Sequence, residues 1–186
     1  MELTVKNKKK YTYQDYCRLT PADSKCELID GDIIMEPAPF TNHQVISGRI
    51  EYVMRKFVND NHLGEVLDAP CDVFFDEKVT VQPDIMFISK KRTGIIEEKN
   101  IKGAPDLVVE IISQGSVYRD TVTKKVIYER FGVKEYWIVY PEEELIEIFL
   151  LNEKENYEVF KTFKKPEILE SSFILPGFRI NLREIF

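Results

Sequence analysis

The sequence has little cysteine and histidine, and it has no long hydrophobic run. Its 186 residues include three cysteines and two histidines. Three widely spaced cysteines without a Cys-x-x-Cys pair exclude a full disulfide framework and a zinc finger. Two histidines leave little room for a histidine-built metal centre, and no apolar stretch approaches the ~20 residues of a membrane span. We therefore expect a cytoplasmic protein with reduced cysteines and no membrane contact.

Positive charge is also scarce. Lysine and arginine total 26 against 32 acidic residues, so the formal net charge is −6. This balance excludes a protein that holds nucleic acid by bulk positive charge. It does not exclude a nucleic-acid enzyme, because carboxylates gathered in a metal site also lower the net charge. The GxGxxG and Walker motifs of nucleotide-binding proteins are absent as well.

The length and composition indicate one globular domain. Apolar residues make up 44% of the sequence and charged residues 31%, which is typical of a folded soluble chain. No internal repeat or low-complexity linker divides it. We expect a basic, flexible N-terminus over residues 1–10 and a single α/β domain over residues 11–186.

Three segments are predicted to be helical. A short helix at Tyr13–Leu19 is expected to begin after Thr12 as its N-cap residue. Apolar residues at three- and four-residue spacing, among them Val45, predict a long helix over residues 42–59 capped by Asn42. A further helix is predicted over residues 117–131.

Strands are predicted where apolar residues alternate or form short runs. The predicted strands are a hairpin over residues 26–35 and single strands at 65–69, 71–75, 80–88, 107–112, Glu135–Tyr140, 144–150, 157–163 and 172–175. Residues 107–112 are apolar except for Glu110, as in a central strand buried on both faces. Residues 144–150 and 157–163 predict an antiparallel hairpin extension, whose edge is a natural surface for a homodimer. The charged residues 89–103 indicate a mobile connection.

Two acids interrupt apolar strands. Asp84 follows Pro83 inside one predicted strand, and Glu110 lies inside the most apolar strand of the chain. A buried carboxylate is costly without a cation or strong hydrogen-bond donors. Either acid alone is also compatible with a strand end that faces water or a helix terminus. Two such acids on adjacent strands favour a site for a hard divalent cation, which requires several oxygen ligands.

A second Pro-Asp pair ends at Asp106, four residues before Glu110. At ~3.3 Å per strand residue, the two acids would lie roughly 13 Å apart along one strand. They could not share one ion, so Asp106 is interpreted as a strand-start or turn residue.

The helix over residues 117–131 supplies a lysine. Lys124 lies on the same helical arc as Ile127 and Phe131, which are expected to face the sheet. Lys125 is the second candidate for a lysine that faces the sheet. Lys124 could extend its ammonium to solvent or pair with Asp120, or it could balance negative charge at a reacting phosphate.

Four segments and three single residues form a distinctive set of motifs: 27–31 (ELIDG), 81–85 (VQPDI), 103–113 (GAPDLVVEIIS) and 132–137 (GVKEYW), with Asp120, Lys124 and Tyr128. Together they resemble the Uma-two family, which is placed in the PD-(D/E)XK nuclease superfamily. The resemblance runs from about Tyr11 to Phe178. It implies a restriction-endonuclease-like mixed central β-sheet flanked by helices. It also implies Mg²⁺-dependent phosphodiester hydrolysis, with Mn²⁺ as an alternative ion and DNA as the expected partner.

The resemblance assigns roles to individual residues. Asp84 corresponds to the acid of the Pro-Asp element and Glu110 to the second acid. The two would hold the metal ion with the backbone carbonyl of Ile111. The superfamily lysine is expected two residues after Glu110, where this chain has Ile112. The resemblance implies that this lysine has moved to the following helix, as Lys124.

Four further residues are candidates for the site. Glu27 matches a family-typical glutamate and is interpreted as a further ligand or a water-orienting base, or else as a strand-edge acid. His43 matches a position at the start of the long helix and is interpreted as a substrate contact, or as a capping or packing residue. Ser113 and Gln114 directly follow the metal strand, where they could line the site or cap the helix.

Two other functions remain open at this point. The missing lysine at position 112 and the acidic balance are compatible with a non-catalytic binding or assembly module of nuclease-like fold. The other open function is that of a metal-dependent hydrolase acting on another phosphate ester. The sequence does not distinguish DNA from RNA as the substrate.

Overall fold

The computed structural model describes residues 9–21, 24–35, 38, 40–113, 115–170 and 174–186. The α-helices are α1 (Tyr13–Leu19), α2 (Thr41–Asp60), α3 (Lys125–Phe131) and α4 (Leu182–Ile185). A 3₁₀-helix covers Lys90–Ile95, and a π-helical segment, Arg119–Lys124, leads directly into α3. Among these helices none has the length and apolar character that crossing a membrane requires.

Thirteen strands occur in the described part of the chain. They are β1 (Cys26–Ile29), β2 (Asp32–Met35), β3 (Gly64–Asp68), β4 (Val73–Asp76), β5 (Val79–Val81), β6 (Ile85–Ser89), β7 (Ile101–Lys102), β8 (Leu107–Ile111), β9 (Glu135–Tyr140), β10 (Leu145–Leu151), β11 (Tyr157–Lys164), β12 (Ile168–Glu170) and β13 (Arg179–Asn181).

The strands form two mixed sheets and one small pair. The larger sheet has the order β11-β10-β9-β8-β6-β3, in which β8 and β9 are parallel and the other neighbours antiparallel. The second sheet has the order β2-β1-β5-β4-β7, and β12 pairs with β13. The predicted mixed central sheet is confirmed, with β8 inside it. The predicted antiparallel hairpin is β10-β11, which continues this sheet to its edge.

The larger sheet is covered on both faces. Helix α2 and the C-terminal segment pack on one face, and the five-stranded sheet and α3 pack on the other. Side chains alternate between faces along a strand. Leu107, Val109 and Ile111 of β8 belong to the α2 side, whereas Val108 belongs to the opposite cluster. The alternation therefore places Glu110 on the face covered by α3 and the five-stranded sheet.

Local sequence signals account for several element boundaries. Thr12 and Asp15 form a reciprocal capping box at the start of α1. Asp30 and Gly31 both have positive φ, +47° and +79°, as a two-residue hairpin turn requires. The predicted bounds of α1 and β9 match the structure.

The prediction of a single strand over residues 80–88 is wrong, and the difference affects the site. It is divided into β5 and β6, which belong to different sheets. Pro83 has no backbone N–H to donate to a ladder, so the strand breaks there. Asp84 therefore lies at the junction between the two sheets rather than inside a strand.

The start of α2 also differs from the prediction. The helix begins at Thr41, and Phe40 occupies the N-cap position without a side-chain hydrogen bond. Asn42 lies inside the first turn and is not the cap. The buried face of α2 includes His43 and Val58, whereas Val45 is 42% exposed.

Two predicted loop and strand assignments need correction. The connection over residues 89–103 contains the 3₁₀-helix and β7, and Arg92 donates to Asp106 Oδ1 (3.0 Å) and to the Ala104 carbonyl (2.7 Å). The interpretation as a mobile connection is therefore wrong.

Of the strand predicted over residues 172–175, residues 172–173 lie outside the described residues, and Ile174 and Leu175 form a bend. Residues 1–8 of the basic N-terminus also lie outside the described residues.

Candidate active site

The pairing of β6 with β8 brings two acids together. Ile85 pairs with Val109 in antiparallel register, so the preceding residue, Asp84, lies opposite the following one, Glu110. Both side chains are buried, with 4% and 1% exposure. They line one cavity of about 410 Å³. The described residues that contribute charged or polar groups to this cavity are Lys25, His43, Asp84, Glu110, Ser113, Ser116, Arg119, Asp120 and Lys124.

Asp84 is surrounded by donors. Lys25 Nζ lies 2.7 Å from its Oδ1, and His43 Nε2 lies 3.2 Å from its Oδ2. The backbone N–H of Ile111 donates to Oδ2 at 2.8 Å. Burial alone would raise the pKa of Asp84, but the hydrogen bond to His43 and the charge of Lys25 outweigh it and hold that pKa well below the usual range. Asp84 is therefore a carboxylate at neutral pH.

Glu110 has a different environment. Its Oε1 accepts hydrogen bonds from Lys124 Nζ (3.0 Å) and from the Tyr128 hydroxyl (2.6 Å). Complete burial raises the pKa of Glu110 well above its ordinary value. The charge of Lys124 opposes this shift, and the nearby carboxylates of Asp120 and Asp84 add to it. Glu110 thus resists carrying a negative charge until a further cation is supplied.

Lys124 connects the acids of the site. It is 1% exposed and lies in the π-helical segment, a distortion that often occurs at functional sites. Its Nζ lies 2.7 Å from Glu27 Oε1, 3.0 Å from Glu110 Oε1 and 3.6 Å from Asp120 Oδ1. Lys125 instead rests over the ring of Phe149, 3.7 Å from its centroid. The structure therefore places Lys124, the first choice from the helical arc, in the site.

Glu27 is fully buried within β1. Besides contacting Lys124, its Oε1 accepts a hydrogen bond from the backbone N–H of Gln82 at 3.0 Å. Because β1 pairs with β5, Glu27 lies beside the residue that precedes the Pro-Asp element. This placement favours a positioning role, in which Glu27 fixes the Lys124 ammonium, over direct contact with a substrate.

The remaining predicted residues are distributed around the cavity. His43, in the first turn of α2, is 8% exposed and contacts Asp84. Ser113 lines the cavity and forms a local hydrogen-bonded turn with Ser116 before the π-helical segment. Ile111 also lines it and contributes its backbone N–H to Asp84. Gln114 lies outside the described residues.

Asp106 has the structural role that its spacing predicted. It accepts hydrogen bonds from the Ser89 backbone N–H (2.8 Å), Arg92 (3.0 Å) and Lys134 (3.1 Å). Burial acts to raise the pKa of Asp106, but these donors outweigh it and lower that pKa. Asp106 does not line the cavity that holds Asp84 and Glu110.

Sequence reasoning missed two cations of the site, Lys25 and Arg119. Lys25 precedes Glu27 by two residues, so strand alternation would have placed both side chains on one face. Arg119 precedes Asp120 in the predicted helix, but nothing in its spacing distinguishes it from the other basic residues of the chain. Both line the cavity.

The carboxylates of the cavity are possible ligands for a divalent cation. Within the described residues, no three His, Cys, Asp or Glu side chains are grouped closely enough to hold a metal ion by themselves. Mg²⁺, however, usually retains several waters and is bound through one or two carboxylates. Asp84 and Glu110 supply two carboxylates at one cavity with room for water. The residues present therefore fit Mg²⁺.

Comparison with solved structures defines the class of fold. The chain is similar to "a putative nuclease belonging to DUF820" from Anabaena variabilis ATCC 29413, with a TM-score of 0.78 and 19% identity over 94% of this chain and 97% of that chain. Residues 12–183 match the model of the Uma2 family, described as "Putative restriction endonuclease". The chain belongs to this family. No curated protein matches it.

Proposed function

We propose that this protein is a metal-dependent nuclease that hydrolyses phosphodiester bonds in DNA, with Mg²⁺ as its ion and Mn²⁺ as a substitute. One observation carries the proposal: Asp84, Glu110 and Lys124 come from three different segments and meet at one cavity. Membership of the Uma2 family supports the same class of activity.

In this proposal the two carboxylates hold the ion. Asp84 and Glu110 would bind it together with the backbone carbonyl of Ile111 and several waters. The chemistry supplied by such an ion is polarisation of the phosphoryl oxygens and a bound water of lowered pKa. The pKa values of Asp84 and Glu110 are shifted in opposite directions, so Asp84 is the more readily ionised of the two before any ion binds.

The basic residues of the cavity would act on the substrate. Lys124 supplies an ammonium close to Glu110 although Ile112 occupies the position where the superfamily lysine is expected. Glu27 and Asp120 fix that ammonium, so it can orient an attacking water and stabilise charge on the phosphate without first being ordered. Arg119 and Lys25 also line the cavity and could neutralise a phosphate oxygen.

Isosteric amide variants test the proposal. Asp84→Asn and Glu110→Gln should each reduce Mg²⁺-dependent cleavage on the order of 100-fold or more. Asp106→Asn is the matched control, because Asp106 also ends a buried Pro-Asp pair but lies outside the cavity. Plasmid DNA, linear duplex, single-stranded DNA and RNA should be assayed in parallel. If both site variants cut at the wild-type rate while remaining folded, the assignment of the site is wrong.

A non-catalytic binding module is the second candidate. It is favoured by the ion pairs that Lys25 and Lys124 already make with Asp84 and Glu110. Calorimetric titration with Mg²⁺ and Mn²⁺ separates the two functions. A nuclease should take up the ion in a manner that Asp84→Asn abolishes, whereas a binding module should show no uptake that depends on these carboxylates. Phosphate monoesters in the same assay would reveal a hydrolase of another ester.

A further inference from the structure

A second cavity lies directly beside the first. It has a volume of about 460 Å³ and shares Phe40, His43 and Ser113 with the cavity that holds Asp84 and Glu110. Pockets for small organic groups typically have volumes of about 300–1,000 Å³. The two cavities are therefore close enough for neighbouring groups of one molecule to occupy them.

The two cavities differ in charge and polarity. The first is lined by three basic residues, Lys25, Arg119 and Lys124, and by three acidic residues, Asp84, Glu110 and Asp120. Among the described residues that line the second there is no lysine or arginine, and Glu142 and Glu143 contribute negative charge. Its other walls include aromatic and aliphatic side chains, namely Phe40, Tyr140, Ile112 and Val117. The acids and cations of the first cavity together suit a phosphate held beside a divalent cation, as in the proposed function, whereas the second cavity suits an uncharged planar group.

Phe40 indicates that the second cavity receives a flat ligand. It leaves 67% of its surface exposed at the rim shared by both cavities. His43 also lines both cavities and is 8% exposed. A ligand with a flat face would cover Phe40 and leave the contact between His43 and Asp84 in place.

We propose that the second cavity binds one nucleobase of the strand whose phosphate lies in the first cavity. This inference rests on the proposed nuclease function. A base can enter such a cavity only after leaving the stack, so the substrate would be single-stranded, unpaired or flipped at the cleavage site. Phe40 would stack on the base, a contact that is tolerant of sequence because every base has a flat face.

Binding of mononucleotides tests the inference. Deoxyadenosine and deoxycytidine monophosphates should be titrated calorimetrically into the full chain with Mg²⁺, alongside deoxyribose 5-phosphate, which has no base. We expect the nucleotides to bind roughly 5- to 150-fold more tightly than the sugar phosphate, the range that base stacking on one aromatic residue supplies. Phe40→Ala should remove most of this difference while leaving the affinity for deoxyribose 5-phosphate unchanged.

Tyr52→Ala is the matched control. Tyr52 lies on α2 with 66% exposure, close to that of Phe40, and lines neither cavity. It should change neither affinity. Equal binding of nucleotide and sugar phosphate, or equal weakening of both by Phe40→Ala, would overturn the inference.

Cleavage assays on the same proteins keep the two proposals distinguishable. If DNA is cut in a manner that depends on Asp84 but the base adds nothing to binding, only the nucleobase site is wrong. If nucleotides bind in a base-dependent manner but no phosphodiester is cut, the nuclease function is wrong and the cavity is a nucleotide-binding site.

Discussion

Asp84, which directly precedes β6, lies opposite Glu110 of β8, yet the pKa values of the two acids are shifted in opposite directions. Both carboxyl groups are buried, so the difference comes from the hydrogen-bond donors and the charges around each of them. Asp84 is bound by Lys25, His43 and a backbone N–H, whereas the ammonium beside Glu110 is shared with other acids. Pairs of acids whose pKa values are pushed apart are typical of catalytic sites.

Removal of the shared ammonium should destabilise the protein. Lys124→Met would leave Glu27, Glu110 and Asp120 close together in a buried environment without their common cation. We expect the free energy of unfolding to fall by about 3–5 kcal/mol, as measured by urea denaturation. Lys125→Met is the control, because Lys125 contacts the ring of Phe149 and should cost no more than about 1 kcal/mol. Equal losses for the two variants would contradict the proposed sharing of the Lys124 charge.

The hydroxyl of Tyr128 should influence metal binding through Glu110. Tyr128→Phe removes the 2.6 Å hydrogen bond to Glu110 Oε1. Tyr136→Phe removes a hydroxyl that is equally buried but donates to the backbone carbonyl of Asp120 at 2.9 Å. Each variant should lose about 1 kcal/mol of stability. Only Tyr128→Phe should change the affinity for Mn²⁺ in calorimetry, and an equal change in Tyr136→Phe would refute a positioning role for Tyr128.

The structural acid Asp106 should contribute stability with a defined pH dependence. Its pKa is lowered in the folded state, so the folded protein binds fewer protons than the unfolded chain as pH falls. The contribution is therefore fully present above the unfolded pKa of about 3.9 and is lost as pH falls through the lower folded value.

Asp106→Asn measures this contribution. The variant should be less stable than the wild type by about 1–3 kcal/mol near neutral pH. The difference should shrink in urea titrations performed at successively lower pH below about 4. A difference that stays constant down to pH 2 would show that the ion pairs with Arg92 and Lys134 do not account for the effect.

Much of the fold could be predicted because its signals are local. The capping box of α1 involves Thr12 and Asp15, three residues apart, and the hairpin turn depends on Asp30 and Gly31 alone. The helical arc that selected Lys124 over Lys125 likewise needs only the helical period.

The features that sequence reasoning missed depend on contacts between distant segments. Lys25 reaches Asp84, 59 residues further along the chain, because β1 pairs with β5 through Leu28 and Thr80. No local pattern encodes that pairing. The division of residues 80–88 between two sheets is also a long-range result, although Pro83 marked the point at which it occurs. The acids of the site and Lys124 were therefore easier to predict than Lys25, which comes from a distant segment.

Two glycines should respond in opposite ways to the same substitution. Gly64, the first residue of β3, has φ +152°, and a Cβ atom there would clash with the carbonyl oxygen of Ile88 and lie 2.8 Å from the backbone nitrogen of Lys90. Backbone atoms of the paired strand cannot move aside without breaking the ladder between β3 and β6. Gly64→Ala should therefore lower the free energy of unfolding by at least about 2 kcal/mol.

Gly48 lies on the exposed face of α2, and a Cβ atom there would have no neighbour within 4 Å. Alanine restricts the unfolded chain more than glycine does, and this helical backbone accepts it without strain. Gly48→Ala should therefore stabilise the protein by about 0.5–1 kcal/mol, which corresponds to a rise in Tm of roughly 1–4 °C for a chain of this size. Thermal denaturation of both variants by circular dichroism provides the measurement. A loss of stability in Gly48→Ala would indicate that this face of α2 is covered by something other than solvent.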